Sequence, residues 1–350
     1  MRFAGDRKRP SPVRHCEPYE DGRVTTDVAA GYTPFNPVLA ELDSVEGRLG
    51  TVSDVDHPIL GQTLRLILGP GGKRLRPALV LLTSGFNGTP LDRRERLAVA
   101  AELLHTATLV HDDILDESAA RRGRATVNTV FGNSLAVLTG DYLFAKAAEF
   151  VASLDSPQIM GIFAWAVMEL CQGEMMPLSL NGDPRGLEAA YFAKVRSKTA
   201  SLLAMCCQTG AMLDGADEMV VSRLRQYGLE LGVAFQIIDD ILDLTSTEEA
   251  LGKPVGSDLL QGTMTLPIIY FLEAQPQHPL ADTLTDGTPT DERRVQQFVA
   301  EIRESEAIDR ARTVASQFGD EATRCLEGLP LSAHGEALAG LVRYAISRQS

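Results

Sequence analysis

Two five-residue runs, Asp112-Asp113-Ile114-Leu115-Asp116 and Asp239-Asp240-Ile241-Leu242-Asp243, lie inside segments that are otherwise apolar. The first follows Ala98, Ala100, Leu103, Leu104, Leu109 and Val110. His105, Thr108, Asp112 and Asp116 recur there at steps of three, four and four, which places them on one helix face. The second repeats the arrangement, with Gln236, Asp239, Asp240 and Asp243 among Leu231, Val233, Phe235, Ile237, Ile238 and Leu244. Ionisable groups on a mostly buried helix are costly without partners. A chain of this kind has to fold so that two acidic helix faces look into a shared polar cavity.

The rest of the pattern agrees with an all-α chain: a single large helical bundle around a central cavity. Long apolar-periodic segments near 92–117, 131–153, 157–180, 185–213 and 217–246 follow one another, and no alternating strand runs with hairpin signals are found. Asn36-Pro37, Ser156-Pro157 and Asp183-Pro184 each set a capping side chain before a proline, a helix-start signal. Gly69-Pro70-Gly71-Gly72 and Arg121-Arg122-Gly123-Arg124 are breaks, and the polar, proline-containing stretch around 275–290 reads as a surface loop. Residues 1–30 read as a disordered tail and 31–350 as the helical domain.

The formal charge of −14 argues against nucleic acid as a partner. Five cysteines show neither metal-ligand spacing nor the density of a disulfide scaffold, so reduced, mostly buried thiols are expected. No apolar run reaches the roughly 18–20 residues that span a bilayer. The first 30 residues lack the apolar core of a secretory signal. A cytoplasmic location is the expectation.

Facing carboxylates repel unless cations sit between them, and hard oxygen ligands suit Mg²⁺, which completes its shell with substrate phosphates. Asp112 and Asp116 can hold one or two ions and Asp239 another, two or three in all. Basic donors are placed to meet the phosphates: Lys73, Arg74 and Arg76 where a helix begins, Arg121 and Arg122 just past the first aspartates, Lys198-Thr199 and Lys253 later.

These segments, GGKRLRP (Gly71–Pro77), HTATLVHDDILDES (His105–Ser118), RRG (Arg121–Gly123), GDYLF (Gly140–Phe144), FQIIDDILD (Phe235–Asp243) and LGKP (Leu251–Pro254), resemble the head-to-tail trans-polyprenyl diphosphate synthases in their order from about residue 36 onward. The resemblance implies an all-α bundle with a deep cavity, a homodimer, and addition of isopentenyl diphosphate to an allylic prenyl diphosphate. It implies that Asp112, Asp113, Asp116, Asp239, Asp240 and Asp243 hold Mg²⁺ on the allylic diphosphate, which Arg121, Lys198 and Lys253 also touch. Lys73, Arg76, His105 and Arg122 would bind isopentenyl diphosphate. Thr199 and Gln236 would lie against the allylic carbons and leaving group. One departure is visible: Gln261-Gly262-Thr263-Met264-Thr265 stands where many short-chain members carry a lysine.

Product length then depends on the cavity floor. Thr108 and Ala107, four and five residues before Asp112, are small where short-chain relatives often place an aromatic ring. A product longer than C20, roughly C30 to C50, is expected, because added tail gains affinity while apolar wall remains to cover it; it is expected to partition to membranes. The competing readings are a geranylgeranyl or farnesyl diphosphate synthase, a terpene cyclase, which would lack GGKRLRP, and a non-catalytic partner subunit, which would lack aspartates or basic donors. Ala107→Phe should shorten the product; an unchanged product distribution by chromatography would rule out this path for the tail.

Overall fold

A computed structural model describes residues 33–69, 74–121, 123–176, 178, 186–248, 254–286, 292–329 and 332–348. The expected tail over 1–30 and the Asp183-Pro184 step lie outside them. After a short 3₁₀ turn, Asn36–Val38, the helices run α1 (Leu39–Thr51), α2 (Pro58–Ile67), α3 (Leu75–Thr83) and α4 (Leu91–Leu115). A two-residue hairpin, β1 (Ala120–Arg121) and β2 (Arg124–Ala125), separates α4 from α5 (Val127–Phe131), α6 (Asn133–Ala152) and α7 (Pro157–Met175). Next come α8 (Leu187–Val195), a π turn (Arg196–Ala200), α9 (Ser201–Leu213) and α10 (Glu218–Thr245). The chain continues with α11 (Ser257–Leu260), α12 (Leu266–Ala274), α13 (Pro279–Asp286), α14 (Glu292–Arg303), α15 (Ala307–Cys325) and α16 (Ala333–Ser347). The all-α architecture is as expected, and no described helix is long and apolar enough to cross a membrane.

Local chemistry sets several boundaries. Ser156 accepts from the Ile159 amide at 3.4 Å and Asp217 from the Val220 amide at 2.8 Å, which caps α7 and α10. Asn36 does not cap: its Oδ1 accepts from the Thr33 hydroxyl, and Asn36-Pro37 opens only the 3₁₀ turn. The stretch read as a loop around 275–290 instead contains α13. Pro279 begins that helix, His278 Nδ1 accepts from the Leu280 amide, and Leu280 is buried against the neighbouring helices. Leu280 and Leu284, one turn apart against the second core, are too short an apolar repeat to read as a helix from sequence.

Two apolar clusters meet along α10. Leu224, Tyr227 and Leu231 belong to the first, with α1–α7, α9 and α16. Val233, Ile237, Ile238, Ile241, Leu242 and Leu244 belong to the second, with α8 and α12–α15. The second acidic run is thereby fixed in the helix that joins both cores. At the α9–α10 crossing the backbones nearly touch. A Cβ on Gly228 would stand 2.7 Å from Ala204 Cα, and one on Gly232 would stand 2.6 Å from Ala200 Cα. Neither obstacle can rotate away. Gly228→Ala should therefore destabilise the fold by about 1–3 kcal/mol. Denaturant midpoints would measure it, and an unchanged midpoint would show that the helices separate freely.

Candidate active site

The three aspartates that end α4 point to different partners. Asp112 is half-buried, and its Oδ2 lies 3.7 Å from Lys198 Nζ, which also pairs with Glu174 of α7. Asp113 is buried and accepts from Arg121 Nε at 2.8 Å. Asp116, one turn beyond Asp112, is exposed at the helix end. Burial pushes the Asp112 carboxyl up to about 6; Lys198 opposes the shift, while Glu174 and Asp116 add to it. For Lys198, burial works downward, but Asp112 and Glu174 outweigh it and the net shift is upward.

On α10 the division is sharper. Asp240 is buried, with Oδ2 accepting from the Tyr191 hydroxyl at 2.6 Å and Oδ1 from Gln236 Nε2 at 2.8 Å. Burial, then the charge of Asp258, pushes it up to about 8 against these two donors. Asp243 is also buried; it accepts from Ser257 Oγ at 2.7 Å and from the Asp258 amide at 3.2 Å, which ties α10 to the start of α11. Asp239 is half-exposed and pairs with Arg348 Nη2 at 2.6 Å, and that guanidinium lies 3.9 Å from the Phe235 ring centre. Of the six aspartates, Asp112, Asp116 and Asp239 keep some exposure, and the buried Asp113, Asp240 and Asp243 are each held by fixed donors.

Lys198 and Thr199 sit in the π turn, a local irregularity often found at functional sites. Thr199 donates to Gln236 Oε1 at 2.9 Å, so Thr199, Gln236, Asp240 and Tyr191 form one hydrogen-bonded chain that fixes the Gln236 amide. Gly173 lets α7 approach: a Cβ there would lie 2.6 Å from the Lys198 amide nitrogen. A cavity of about 790 Å³ opens between these elements, lined by Asp116, Arg121, Glu174, Lys194, Lys198, Thr199, Gln236 and Asp240, and by Gln261–Thr265.

A smaller recess of about 230 Å³ holds Arg74, Glu102, His105, Asp113, Arg121 and Arg124. Arg121 lines both spaces. Arg74, one of the basic residues of the GGKRLRP run, has φ 43 and is fully engaged, its Nε and Nη2 on Glu46 and its Nη1 on Glu102 at 2.6 Å. It anchors the loop rather than offering donors. Arg76 is half-buried at the start of α3, near enough to Cys206 to oppose the burial that raises that thiol to about 12. Lys73, Arg122 and Lys253 lie outside the described residues. Ala107 is fully buried and Thr108 half-buried, its hydroxyl donating to the His105 carbonyl at 2.7 Å; among the described residues lining the larger cavity, neither is found.

Glu174, Tyr191, Arg348 and Arg124 were not among the residues singled out in the sequence. Tyr191, Lys194 and Lys198 share one face at steps of three and four, a signal that was present. Arg348 meets Asp239 across 109 positions, and no local pattern reports that.

The donor set fits a divalent cation. Among the described residues no three His, Cys, Asp or Glu side chains converge on one point. Asp116 and Asp240, one from each acidic run, line the larger cavity, and Asp112 lies 3.7 Å from Lys198, which lines it as well; Asp239 is held by Arg348. That suits Mg²⁺, which takes one or two carboxylates and leaves positions for phosphate and water.

Comparisons with known proteins converge. Residues 57–302 match the family described as Polyprenyl synthetase. Heptaprenyl diphosphate synthase component 2 of Geobacillus stearothermophilus is 39% identical over 304 residues, 87% of this chain and 94% of that protein. The crystal structure of a heptaprenyl diphosphate synthase from Staphylococcus aureus superposes with a TM-score of 0.83 at 34% identity, covering 90% of this chain and 99% of that one. A Caulobacter crescentus polyprenyl synthase complexed with calcium and isoprenyl diphosphate gives 0.84 at 32%, covering 91% and 97%.

The raised Asp112 carboxyl has a consequence for stability. Its folded pKa of about 6 exceeds the ordinary 3.8, so the folded chain holds that proton more tightly than the unfolded one. The contribution is complete below pH 3.8 and is lost as pH rises through about 6. Asp112→Asn should therefore stabilise the metal-free protein at pH 7.5 by at most about 3 kcal/mol, read as a raised melting temperature. The gain should vanish near pH 4, and turnover should be lost. A melting temperature equal to wild type at pH 7.5 would refute the electrostatic account.

Proposed function

Because the chain belongs to the polyprenyl synthetase family and is a prenyl transferase, we propose that it condenses isopentenyl diphosphate with an allylic prenyl diphosphate in successive trans additions. The product we assign is longer than C20. The observation that carries this reading is one cavity where Asp116 and Asp240, one from each acidic run, come together with Arg121, Lys198, Thr199 and Gln236, and where Asp112 lies 3.7 Å from Lys198. The heptaprenyl names of two relatives support the length.

Asp112, Asp116 and Asp239 would hold Mg²⁺, which when bound neutralises charge on the allylic diphosphate as it leaves. Lys198 and Arg121, both lining the cavity, donate to the same diphosphate. Thr199 and Gln236, held by Asp240 and Tyr191, present oxygen dipoles to the allylic cation without attacking it. His105, on the recess side of Arg121, and Arg76 face the second substrate, isopentenyl diphosphate. Its double bond attacks the allylic carbon and a proton leaves to the departed diphosphate. No protein nucleophile is needed.

The protein acts in the cytoplasm as a homodimer in this reading. Val137 and Leu138 of α6 are 43% and 61% exposed, and Met168 and Met175 of α7 are 56% and 75% exposed. These two packed helices present an apolar face that a second copy would cover. A second reading takes its support from the words "component 2" in the Geobacillus relative's name: a different subunit covers that face.

Purified chain given Mg²⁺, isopentenyl diphosphate and farnesyl diphosphate should release diphosphate, sediment as a dimer and yield products longer than C20 by chromatography, all turnover ceasing with a chelator. Product confined to C15 or C20 would overturn the length assignment. A chain silent alone but active with a second subunit would favour the other reading.

A further inference from the structure

The smaller recess has an uneven charge balance. Three arginines line it. Arg74 is taken up by Glu46 and Glu102, while Arg121 gives its Nε to Asp113 and is assigned above to the allylic diphosphate. Arg124, on β2, is exposed, and among the described residues no carboxylate forms an ion pair with it. Its guanidinium is nonetheless placed: Nη1 lies 3.0 Å from where a Cβ on Gly69 would stand, so it rests over the Gly69 backbone at the mouth of the recess. Glu102 and Asp113, the partners of the first two arginines, line it as well, with His105 and two threonines, and part of the wall is apolar, with Leu66, Ile67, Val110 and Val127.

A space with one uncommitted guanidinium and an apolar wall matches a small alkenyl diphosphate, since the planar fork of arginine suits phosphate oxygens. We propose that Arg124 is a substrate-binding residue that donates to the diphosphate of isopentenyl diphosphate in this recess; this rests on the reading of the reaction given above. Arg121 on the shared wall then divides the two substrates, and Arg124 adds positive charge to the homoallylic side only. Gly69 has a reason to lack a side chain, because a methyl there would press on the guanidinium. The obstructing atom is the far end of a flexible side chain, so Gly69→Ala shifts Arg124 without disturbing the helices.

The test is calorimetric titration of isopentenyl diphosphate with Mg²⁺ into the full chain and into Arg124→Ala, Arg124→Lys and Gly69→Ala, with KM values for both substrates. Thermal melts establish that each variant is folded. Arg124→Ala should weaken isopentenyl diphosphate binding about tenfold, the weight of one charge-assisted hydrogen bond. Arg124→Lys should recover part of it and Gly69→Ala should lose part, with the allylic KM unchanged in all three. If wild type turns over and Arg124→Ala binds equally well, Arg124 is a solvated surface charge and the assignment is overturned. An equal rise in both KM values overturns it too, as a general field effect. A wild type that neither binds isopentenyl diphosphate nor turns over removes both this assignment and the reaction it rests on.

Discussion

Carboxylates gathered at a partly buried cavity raise the energy of the metal-free fold, and the rest of the architecture is arranged to bear that. Each acidic run has one aspartate turned out of the cavity and given a fixed partner: Arg121 for Asp113, Ser257 and the Asp258 amide for Asp243. Asp240 is held by two neutral donors instead, which leaves burial to keep its pKa high. Asp112, Asp116 and Asp239 remain within reach of a ligand. The repulsion is thus concentrated where cations and phosphates can relieve it.

Much of this was readable beforehand because its signals are local. The steps that bring Asp112 and Asp116 onto one face, the apolar residues that make α4 and α10 long, and the Ser156 cap are each contained within a turn or two. What escaped was long-range. Nothing near Asp240 in sequence says that Tyr191, 49 positions earlier, will hold it. The same holds for Arg348 and Asp239. Arg74 misled for another reason: its type and neighbours suggest a phosphate donor, and only its left-handed backbone and the approach of Glu46 and Glu102 show it to be an anchor. The α13 segment failed as a loop because one buried leucine and a histidine cap suffice to make a short helix in tertiary context.

Chemistry and positioning are layered. Lys198, Thr199 and Gln236 stand at the cavity, and Glu174, Tyr191 and Asp240, which line it too, hold them in place. The π turn places two consecutive residues of one strand of helix toward the same space, and the hydrogen-bonded chain behind it leaves the Gln236 amide one orientation. Preorganised dipoles of this kind act on a cation without reorganising when it forms.

The near-contact of α9 and α10 backbones at Gly228 and Gly232 separates two kinds of change open to descendants of this sequence. Helices locked at that distance cannot slide, so the placement of Lys198 and Thr199 against Gln236 is inherited almost unchanged from one variant to the next. Residues on helices outside that crossing, such as Ala107 and Thr108 of α4, do not bear on that distance. Substitutions outside the crossing leave the Lys198, Thr199 and Gln236 arrangement in place, so the reacting groups change more slowly than their surroundings.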